Sequence, residues 1–370
     1  MATNEQILEA IYRRIDGKGK LDAVVYDDAF SCIRNIGDEK GYRDLALSNE
    51  LKSKIRSGML LARDQNLSKF AEQLYSLNRR VLLWESLDSF ESYMLYIESN
   101  RPLKKQFYWP RRKQLRPIAN ALQDLEERKL ELLAISLPPG VGKTSLAEFF
   151  LSWTCGKHPE KPILTGSHSN AFLRGVYDEM NRIFDPQGEY LWHDVFPELS
   201  VIKTNAQDMM IDIGRNKREG KRFATLEFSS IGSGNAGKVR AENLLYCDDL
   251  VDSLETSLSR DRMEKLFNMY ATDLRQRKIG DAVELHIATR WSVRDVIGRL
   301  EVIYADNPKA KFIVRPALDE NDESNFDYPI EAGFTTKFYH DQREVMDDAS
   351  WRALYLNSPI EREGLLYAED

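Results

Sequence analysis

The chain has 370 residues, 42% of them hydrophobic and 30% charged, values typical of a soluble globular protein with one large or two smaller domains. Its formal net charge of -7 excludes nucleic-acid binding driven by overall charge, so any such contact must come from local basic patches. No apolar run reaches the ~20 residues of a membrane span, and the N-terminus lacks the apolar core of a signal peptide. The widely spaced Cys32, Cys155 and Cys247 predict reduced thiols in a cytosolic compartment, and the five histidines show no zinc-like spacing, so we expect no structural metal.

Residues 1–98 hold no proline and repeat apolar residues every three to four positions, for example in NEQILEAIYRRI and LSKFAEQLYSLNRRVLLWESL. This periodicity predicts amphipathic helices. We interpret the region as an N-terminal helical domain, and a surface for docking a partner is the alternative.

Proline enters at Pro102, Pro110 and Pro117, within the basic stretch 101–116, which predicts a boundary or a linker. Beyond it, residues 99–370 alternate short apolar runs with helical patterns. The predicted strands are LELLAISL, PILTGS, RFATLEFSS, ENLLYCDDL, VELHIATRW and KFIVRP, with helices from about Lys143, through FLRGVYDEMNRIF and from about Leu254. This alternation predicts an α/β fold with a mostly parallel sheet flanked by helices.

The segment LAISLPPGVGKTSLAEFF places a glycine-rich turn between a strand and a helix. Gly142, Lys143 and Thr144 match the phosphate-binding P-loop pattern, whereas Leu137 takes the place of its first glycine. Backbone N–H groups of such a turn and of a helix N-terminus converge on an anion. The residues predicted to contact a nucleotide are Pro139, Gly140, Val141, Gly142, Lys143, Thr144 and Ser145. A plain glycine turn before a buried helix is the alternative.

A nucleotide hydrolase also needs a carboxylate for Mg²⁺ and a group that orients water. The run ENLLYCDDL predicts a buried strand that ends in Asp248 and Asp249. We assign Asp248, with Thr144, to the metal and Asp249 to the attacking water, the alternative being a helix-capping strand end. Thr289 and Arg290 follow another strand, and ligands of parallel sheets lie at the strands' carboxyl ends. We therefore predict that Thr289 contacts the γ-phosphate or the attacking water, ordinary loop chemistry being the alternative.

Taken together, these segments resemble the large terminase subunit of tailed bacteriophages, the ATPase motor that packages DNA. SLPPGVGKTS, ILTGSHSNAFLRGVYDEMNRIF, SIGSGNAGKVRAENLLYCDDLVDS, ATRWSVRDVIGRL and WRALYLNSPIEREGLLY carry the resemblance, over roughly residues 100–370. It implies a P-loop NTPase core of the ASCE type (additional strand, catalytic glutamate), with ATP and Mg²⁺ and with Thr289 as a coupling residue. The resemblance also implies that Tyr108, Arg112 and Gln114 are the equivalents of the family's adenine-contacting segment, a basic linker being the alternative.

The resemblance also implies partners and a location. These are double-stranded DNA, a portal protein, a small terminase subunit and a homo-oligomeric ring, commonly of five subunits, in the cytoplasm of an infected bacterium. Away from the capsid a monomer is the alternative to the ring, and no membrane partner is expected.

Two departures from the family pattern stand out. Many members carry an arginine inside the phosphate loop, but this chain has none there, so transition-state charge must be met by Arg290, Arg174, Arg299 or a neighbouring subunit. Complete members also carry a nuclease domain after the ATPase. The chain ends at Asp370 without one, so we expect an excised motor domain, a separately encoded nuclease being the alternative, and no nuclease activity.

Backbone-type DNA contacts are predicted for the segment 201–240, which has eight Lys or Arg against four acids, clustered in GRNKREGKR. The basic stretch 101–116 competes for this role, and a solvated hairpin tip is the alternative. For the whole chain, another nucleic-acid ATPase such as a helicase, or a nucleotide-binding scaffold without turnover, remain alternatives to a packaging motor.

Overall fold

A computed structural model describes residues 2–17, 22–215, 222–233, 240–330 and 333–359. The chain divides into two compact units, Met1–Ser99 and Asn100–Asp370. None of the helices in the described ranges is long and apolar enough to cross a membrane.

The first unit is helical, which confirms the prediction from periodicity. Its helices are α1 (Asn4–Asp16), α2 (Ala23–Lys40), α3 (Leu45–Asp64), α4 (Ser68–Glu85) and α5 (Phe90–Ile97). Side chains such as Thr3, Asp22 and Asp44 accept hydrogen bonds from first-turn backbone N–H groups and so fix where helices begin. The apolar faces meet in one core, with Ile33 and Leu74 fully buried in it.

The second unit contains a sheet of eight strands within the described residues. The strands are β1 (Leu132–Ser136), β2 (Ile163–Ser167), β3 (Ser200–Asn205), β4 (Met210–Gly214), β5 (Leu226–Ser230), β6 (Leu244–Asp248), β7 (Val283–Ile287) and β8 (Ala310–Val314). The helices are α6 (Tyr108–Glu126), α7 (Lys143–Lys157), α8 (Asn170–Ile183), α9 (Trp192–Val195), α10 (Leu254–Ser257), α11 (Arg260–Met269), α12 (Val296–Ile303), α13 (Thr336–Glu344) and α14 (Asp348–Trp351). Short 3₁₀ or π turns lie at Leu103–Lys105, Tyr270–Leu274, Arg275–Arg277 and Arg352–Leu356.

The strand order is β3-β4-β5-β2-β6-β7-β1-β8. The six predicted strands are all present and run parallel, so the predicted mostly parallel α/β fold is confirmed. Strand β7 lies between β1 and β6, which brings the carboxyl ends of these three strands to neighbouring positions. Strands β1, β2, β6 and β7 are buried along their whole length, as expected for a parallel sheet covered on both faces.

The two faces of the sheet carry different helices. Helices α6 and α8 pack on one face, next to α7. On the other face, Leu245 and Cys247 of β6 pack with Tyr270 and with Leu300 of α12. Alternate residues of a strand face opposite sides, so Tyr246 and Asp248 point toward the α7 side.

Three elements differ from the sequence prediction. Strands β3 and β4 form an antiparallel hairpin that was not predicted, because β3 is largely exposed and polar. The stretch expected to be a linker is helical from Tyr108 onward, with Pro110 in the first turn, where its missing N–H costs little. The helix expected from Leu254 is a single turn, α10, followed by α11. Most of the basic cluster GRNKREGKR lies outside the described residues, as does the end of the closing segment after residue 359.

Candidate functional site

The loop between β1 and α7, residues 137–142, is called the glycine loop below. Gly140 and Gly142 take positive φ values of 80° and 105°, a region that other residues rarely adopt. A β-carbon at Gly142 would lie 2.4 Å from the Phe107 ring, and one at Gly140 would lie 3.1 Å from the Phe334 ring. The backbone at the start of α7 therefore has room only for glycine at these two positions.

Lys143, the first residue of α7, is 8% exposed and points back over the glycine loop. Its Nζ donates to the Leu137 carbonyl at 2.8 Å and to the Thr289 hydroxyl at 2.8 Å. Burial lowers the pKa of the Lys143 ammonium, and the negative charges of Asp249 and Asp248 oppose that shift. An anion bound in the glycine loop would compensate the buried positive charge.

Asp248 ends β6 and is fully buried. Its Oδ2 accepts a hydrogen bond from Thr144 Oγ1 at 3.3 Å and another from the Tyr246 hydroxyl. Its Oδ1 has no hydrogen-bond partner among the described residues. Burial raises the pKa of Asp248 and the charge of Asp249 raises it further, and the positive charge of Lys143 only partly compensates the carboxylate.

Asp249 links the ends of three strands. Its φ is 38°, a strained value for a residue other than glycine and one that tends to occur at functional sites. Its Oδ1 accepts the Thr289 backbone N–H at 3.0 Å, and its own N–H donates to the Ile287 carbonyl at 2.9 Å. Its carbonyl accepts from His168 Nδ1 at 2.5 Å, just beyond β2. The turn after β6 is thus fixed to β7 and β2.

Together these contacts bring Lys143, Thr144, Asp248, Asp249 and Thr289 to one edge of the sheet. A magnesium ion usually takes one or two protein carboxylates and completes its shell with waters and substrate phosphates. Thr144 and the free Oδ1 of Asp248 fit that pattern. No group of three or more His, Cys, Asp or Glu able to hold a metal occurs in the part of the chain that the structure describes.

The three candidate arginines have other partners. Arg290 is 4% exposed, and its guanidinium donates to Asp295 at 3.1 Å and to Glu301 at 3.0 Å. Because two carboxylates already hold the Arg290 guanidinium, its expected role toward transition-state charge stays a prediction. Arg174 lies over Tyr177, and Arg299 lies 3.9 Å over the Phe267 ring.

The expected adenine-contacting residues lie on α6. Tyr108 is fully buried, and the Gln114 side-chain amide donates to the Asp327 carbonyl at 3.0 Å. Arg112 lies on the same helix, one turn after Tyr108. Phe107, the immediate neighbour of Tyr108, faces Gly142 of the glycine loop.

The remaining loop residues differ in exposure. Pro139 is exposed, Val141 is fully buried, and Ser145 lines a cavity of about 340 Å³ beside α7. The Val141 carbonyl accepts from the Tyr328 hydroxyl at 3.0 Å.

Sequence reasoning missed several residues at this edge. They are Phe107, Tyr328 and Phe334 around the glycine loop, and Glu148, Ser167 and His168 around the paired aspartates. Ser167 and His168 had a sequence signal, because they follow an apolar strand just as Asp248 and Thr289 do. Tyr328 and Phe334 had none, since they come from a segment almost 200 residues further along the chain.

No protein-family model and no curated protein matches this chain. Among solved structures, it is similar to the large terminase of bacteriophage HK97, with a TM-score of 0.43 and 11% sequence identity. The alignment covers 65% of this chain and 50% of that terminase, so the chain spans about half the length of that protein.

Proposed function

We propose that this chain is a Mg²⁺-dependent ATPase and the motor domain of a phage large terminase, driving double-stranded DNA into a procapsid. The observation that carries the hydrolytic part is the convergence of Lys143, Thr144, Asp248, Asp249 and Thr289 at the carboxyl edge of the sheet. A buried cation, a carboxylate with an open oxygen and a second acid beside them suit a triphosphate with its divalent ion. The motor part rests on the sequence resemblance.

The roles of the binding residues follow from their contacts. Lys143, freed from the Leu137 carbonyl and from Thr289, would bind the β- and γ-phosphates above the N-terminus of α7. Thr144 and Asp248 would hold Mg²⁺, which supplies positive charge to the phosphate oxygens when bound. Tyr246, which donates to Asp248 Oδ2, keeps that oxygen oriented and leaves Oδ1 for the metal.

The chemical step is an attack of water on the γ-phosphorus. The bond from that phosphorus to the oxygen bridging to the β-phosphate breaks, and the bridging oxygen leaves with the ADP. Asp249, oriented by the Thr289 N–H, would accept the proton of the attacking water. When phosphate binds, Lys143 would turn to it and its hydrogen bond to the Thr289 hydroxyl would break. Thr289 follows β7, so the end of this strand would have different contacts in the empty and in the loaded site.

The proposed partners follow from the family resemblance. They are DNA bound through its backbone, the portal, a small terminase subunit and neighbouring copies in a ring, inside an infected bacterium. Because Arg290 is engaged by Asp295 and Glu301, we place the transition-state arginine on a neighbouring subunit.

The test is ATP turnover with and without double-stranded DNA, for the parent, for Lys143→Ala and for Lys309→Ala. Lys309 is a matched control, because its side chain is 54% exposed and pairs with Glu131. We expect Lys143→Ala to lose nucleotide binding and Lys309→Ala to behave as the parent. Turnover in Lys143→Ala at the parent rate refutes the ATPase. In a separate unwinding assay, ATP-dependent strand separation by the parent refutes a packaging motor in favour of a helicase.

A further inference from the structure

Ser167 is a buried polar residue next to Asp248 that the proposed mechanism does not use. It ends β2 and pairs in register with Asp248, the last residue of β6. Both residues are fully buried. Residues paired across a parallel ladder project to the same face, and neighbouring strands lie about 4.8 Å apart. The Ser167 hydroxyl is therefore on the α7 side of the sheet, beside the Asp248 carboxylate.

The two side chains share a deficit of hydrogen bonds. Ser167 Oγ and Asp248 Oδ1 both have no hydrogen-bond partner among the described residues. Burying a polar group without a hydrogen-bond partner is energetically unfavourable. Because these two groups lie side by side at the carboxyl edge, the waters of one hydrated ligand would satisfy both of them.

Glu148 approaches the same place from the helix. It lies one turn after Thr144 on α7, so the two side chains share a helix face. Burial raises the pKa of Glu148 to about 8, with further contributions from Glu179 and Asp248. Glu148 also lines the cavity of about 340 Å³ with Ser145 and Glu179, which gives water access to the region.

We infer that Ser167 and Glu148 form the outer coordination shell of the divalent cation that Thr144 and Asp248 would hold, and accept hydrogen bonds from its bound waters. The inference rests on the proposed function. Magnesium dehydrates reluctantly and keeps several waters, and these waters need acceptors. Outer-shell partners orient the ligands, and losing one typically lowers metal affinity by about 10–100-fold. Ser167 is thus a positioning residue.

The test measures binding of a fluorescent, non-hydrolysable ATP analogue as a function of Mg²⁺ concentration. In Ser167→Ala we expect the Mg²⁺ midpoint to rise by about 10–100-fold, with analogue affinity in EDTA unchanged. Glu148→Gln should shift the midpoint in the same direction but less, since the amide oxygen can still accept. Mn²⁺ in place of Mg²⁺ should give the same ranking.

The matched control is Thr165→Val. Thr165 lies two residues earlier on β2, is fully buried, and its hydroxyl also has no hydrogen-bond partner in the described chain. It faces the same side of the sheet but lies farther from the carboxyl edge. We expect it to keep the parent midpoint, so the comparison separates a cation effect from the loss of any buried hydroxyl.

The outcomes are distinguishable. An unchanged midpoint in folded Ser167→Ala overturns the inference while leaving the proposed function intact, and an equal shift in Thr165→Val also overturns it. If Ser167→Ala fails to fold, Ser167→Cys, which keeps the volume and weakens the hydrogen bond, takes its place. A parent that binds no nucleotide at any Mg²⁺ concentration overturns the proposed function, and this inference with it.

Discussion

Two buried carboxylates on neighbouring strands of the same sheet have opposite surroundings. Asp248 ends β6 at the carboxyl edge, whereas Glu284 on β7 pairs in register with Leu245. Both are fully buried. Because alternate residues of a strand face opposite sides, Asp248 lies on the α7 face and Glu284 on the face that carries Tyr270.

Their partners explain the contrast. Burial alone would raise the pKa of Glu284, but His286 at 2.8 Å, the charge of Lys278 and the Tyr270 hydroxyl lower it to about 2. At Asp248, burial and Asp249 raise the pKa, and Tyr246, Lys143 and Thr144 only partly offset them. A buried carboxylate whose charge is compensated by neighbouring protein groups is typical of a structural role. A buried carboxylate that protein groups compensate only in part indicates a binding site for a cationic ligand.

The largest expected effect concerns chemistry at the unbalanced site. Asp249→Asn should bind nucleotide as the parent does but hydrolyse it roughly 10²–10⁴-fold more slowly, because the amide cannot accept the proton of water. Single-turnover ATP hydrolysis together with analogue binding measures both quantities. Turnover equal to that of the parent would remove Asp249 from the mechanism.

The balanced carboxylate should matter for stability. Glu284→Gln is expected to lower the free energy of unfolding by about 3–5 kcal/mol, because it removes a fully buried carboxylate that pairs with Arg275 and Lys278. Urea denaturation is the measurement, with Glu301→Gln as the control. Glu301 pairs with Arg290, but its side chain is 35% exposed, so its replacement should cost less. If both variants lose the same free energy of unfolding, the burial of Glu284 does not determine how much its ion pairs contribute to stability.

Asp248→Asn, unlike Glu284→Gln, should not lower the free energy of unfolding. Without Mg²⁺, removing an under-compensated buried charge should leave the free energy of unfolding unchanged or raise it by about 1–3 kcal/mol. The same variant should lose the effect of Mg²⁺ on nucleotide binding. Denaturation in EDTA, next to Glu284→Gln, is the direct comparison, and a similar loss of stability in both variants breaks it.

The last comparison concerns the pH dependence of stability. The pKa of Glu148 is raised to about 8 in the folded protein, whereas it is about 4.3 in the unfolded chain. Between these pH values the folded protein holds a proton that the unfolded chain has released. The free energy of unfolding therefore falls as the pH rises from about 4.3 to about 8. Glu284, with its pKa lowered to about 2, acts oppositely: its contribution is present above about pH 4.3 and is lost in acid.

Glu148→Gln tests the first of these slopes. The groups that face Glu148 are Glu179 and Arg182 of α8 and Asp248 of β6. Unfolding of the metal-free protein between pH 5 and 9 should show a flatter decline in the variant than in the parent. Parallel curves would show that Glu148 does not keep its proton in the folded protein.

Much of the fold was predictable because its signals are local. Apolar runs of strand length marked six strands, and the glycines before Lys143 marked the loop and the start of α7. The hairpin of β3 and β4 was missed, because β3 is largely exposed and polar and lacks the apolar run on which the prediction depends. Helix α6 was missed because its prolines suggested a linker.

The site was predictable only in part. Asp248 and Thr289 were predicted because each lies at the end of an apolar run, and Lys143 because it follows a glycine-rich turn. The structure brings these three residues to one edge of the sheet. The engagement of Arg290 by Asp295 and Glu301, and the packing of Phe107 on Gly142, depend on side-chain positions that periodicity does not encode.

The sequence by itself determined that this chain forms parallel strands and helices, with a phosphate-loop-like turn before α7 and acids after β6. Local periodicity, glycine conformation and residue chemistry are sufficient for that. Only the tertiary structure decided that β7 lies between β1 and β6, which joins Lys143 to a threonine 146 residues away. It also decided that Asp248 is under-compensated while Glu284 is balanced, because the charge around a buried group depends on what the whole fold packs against it.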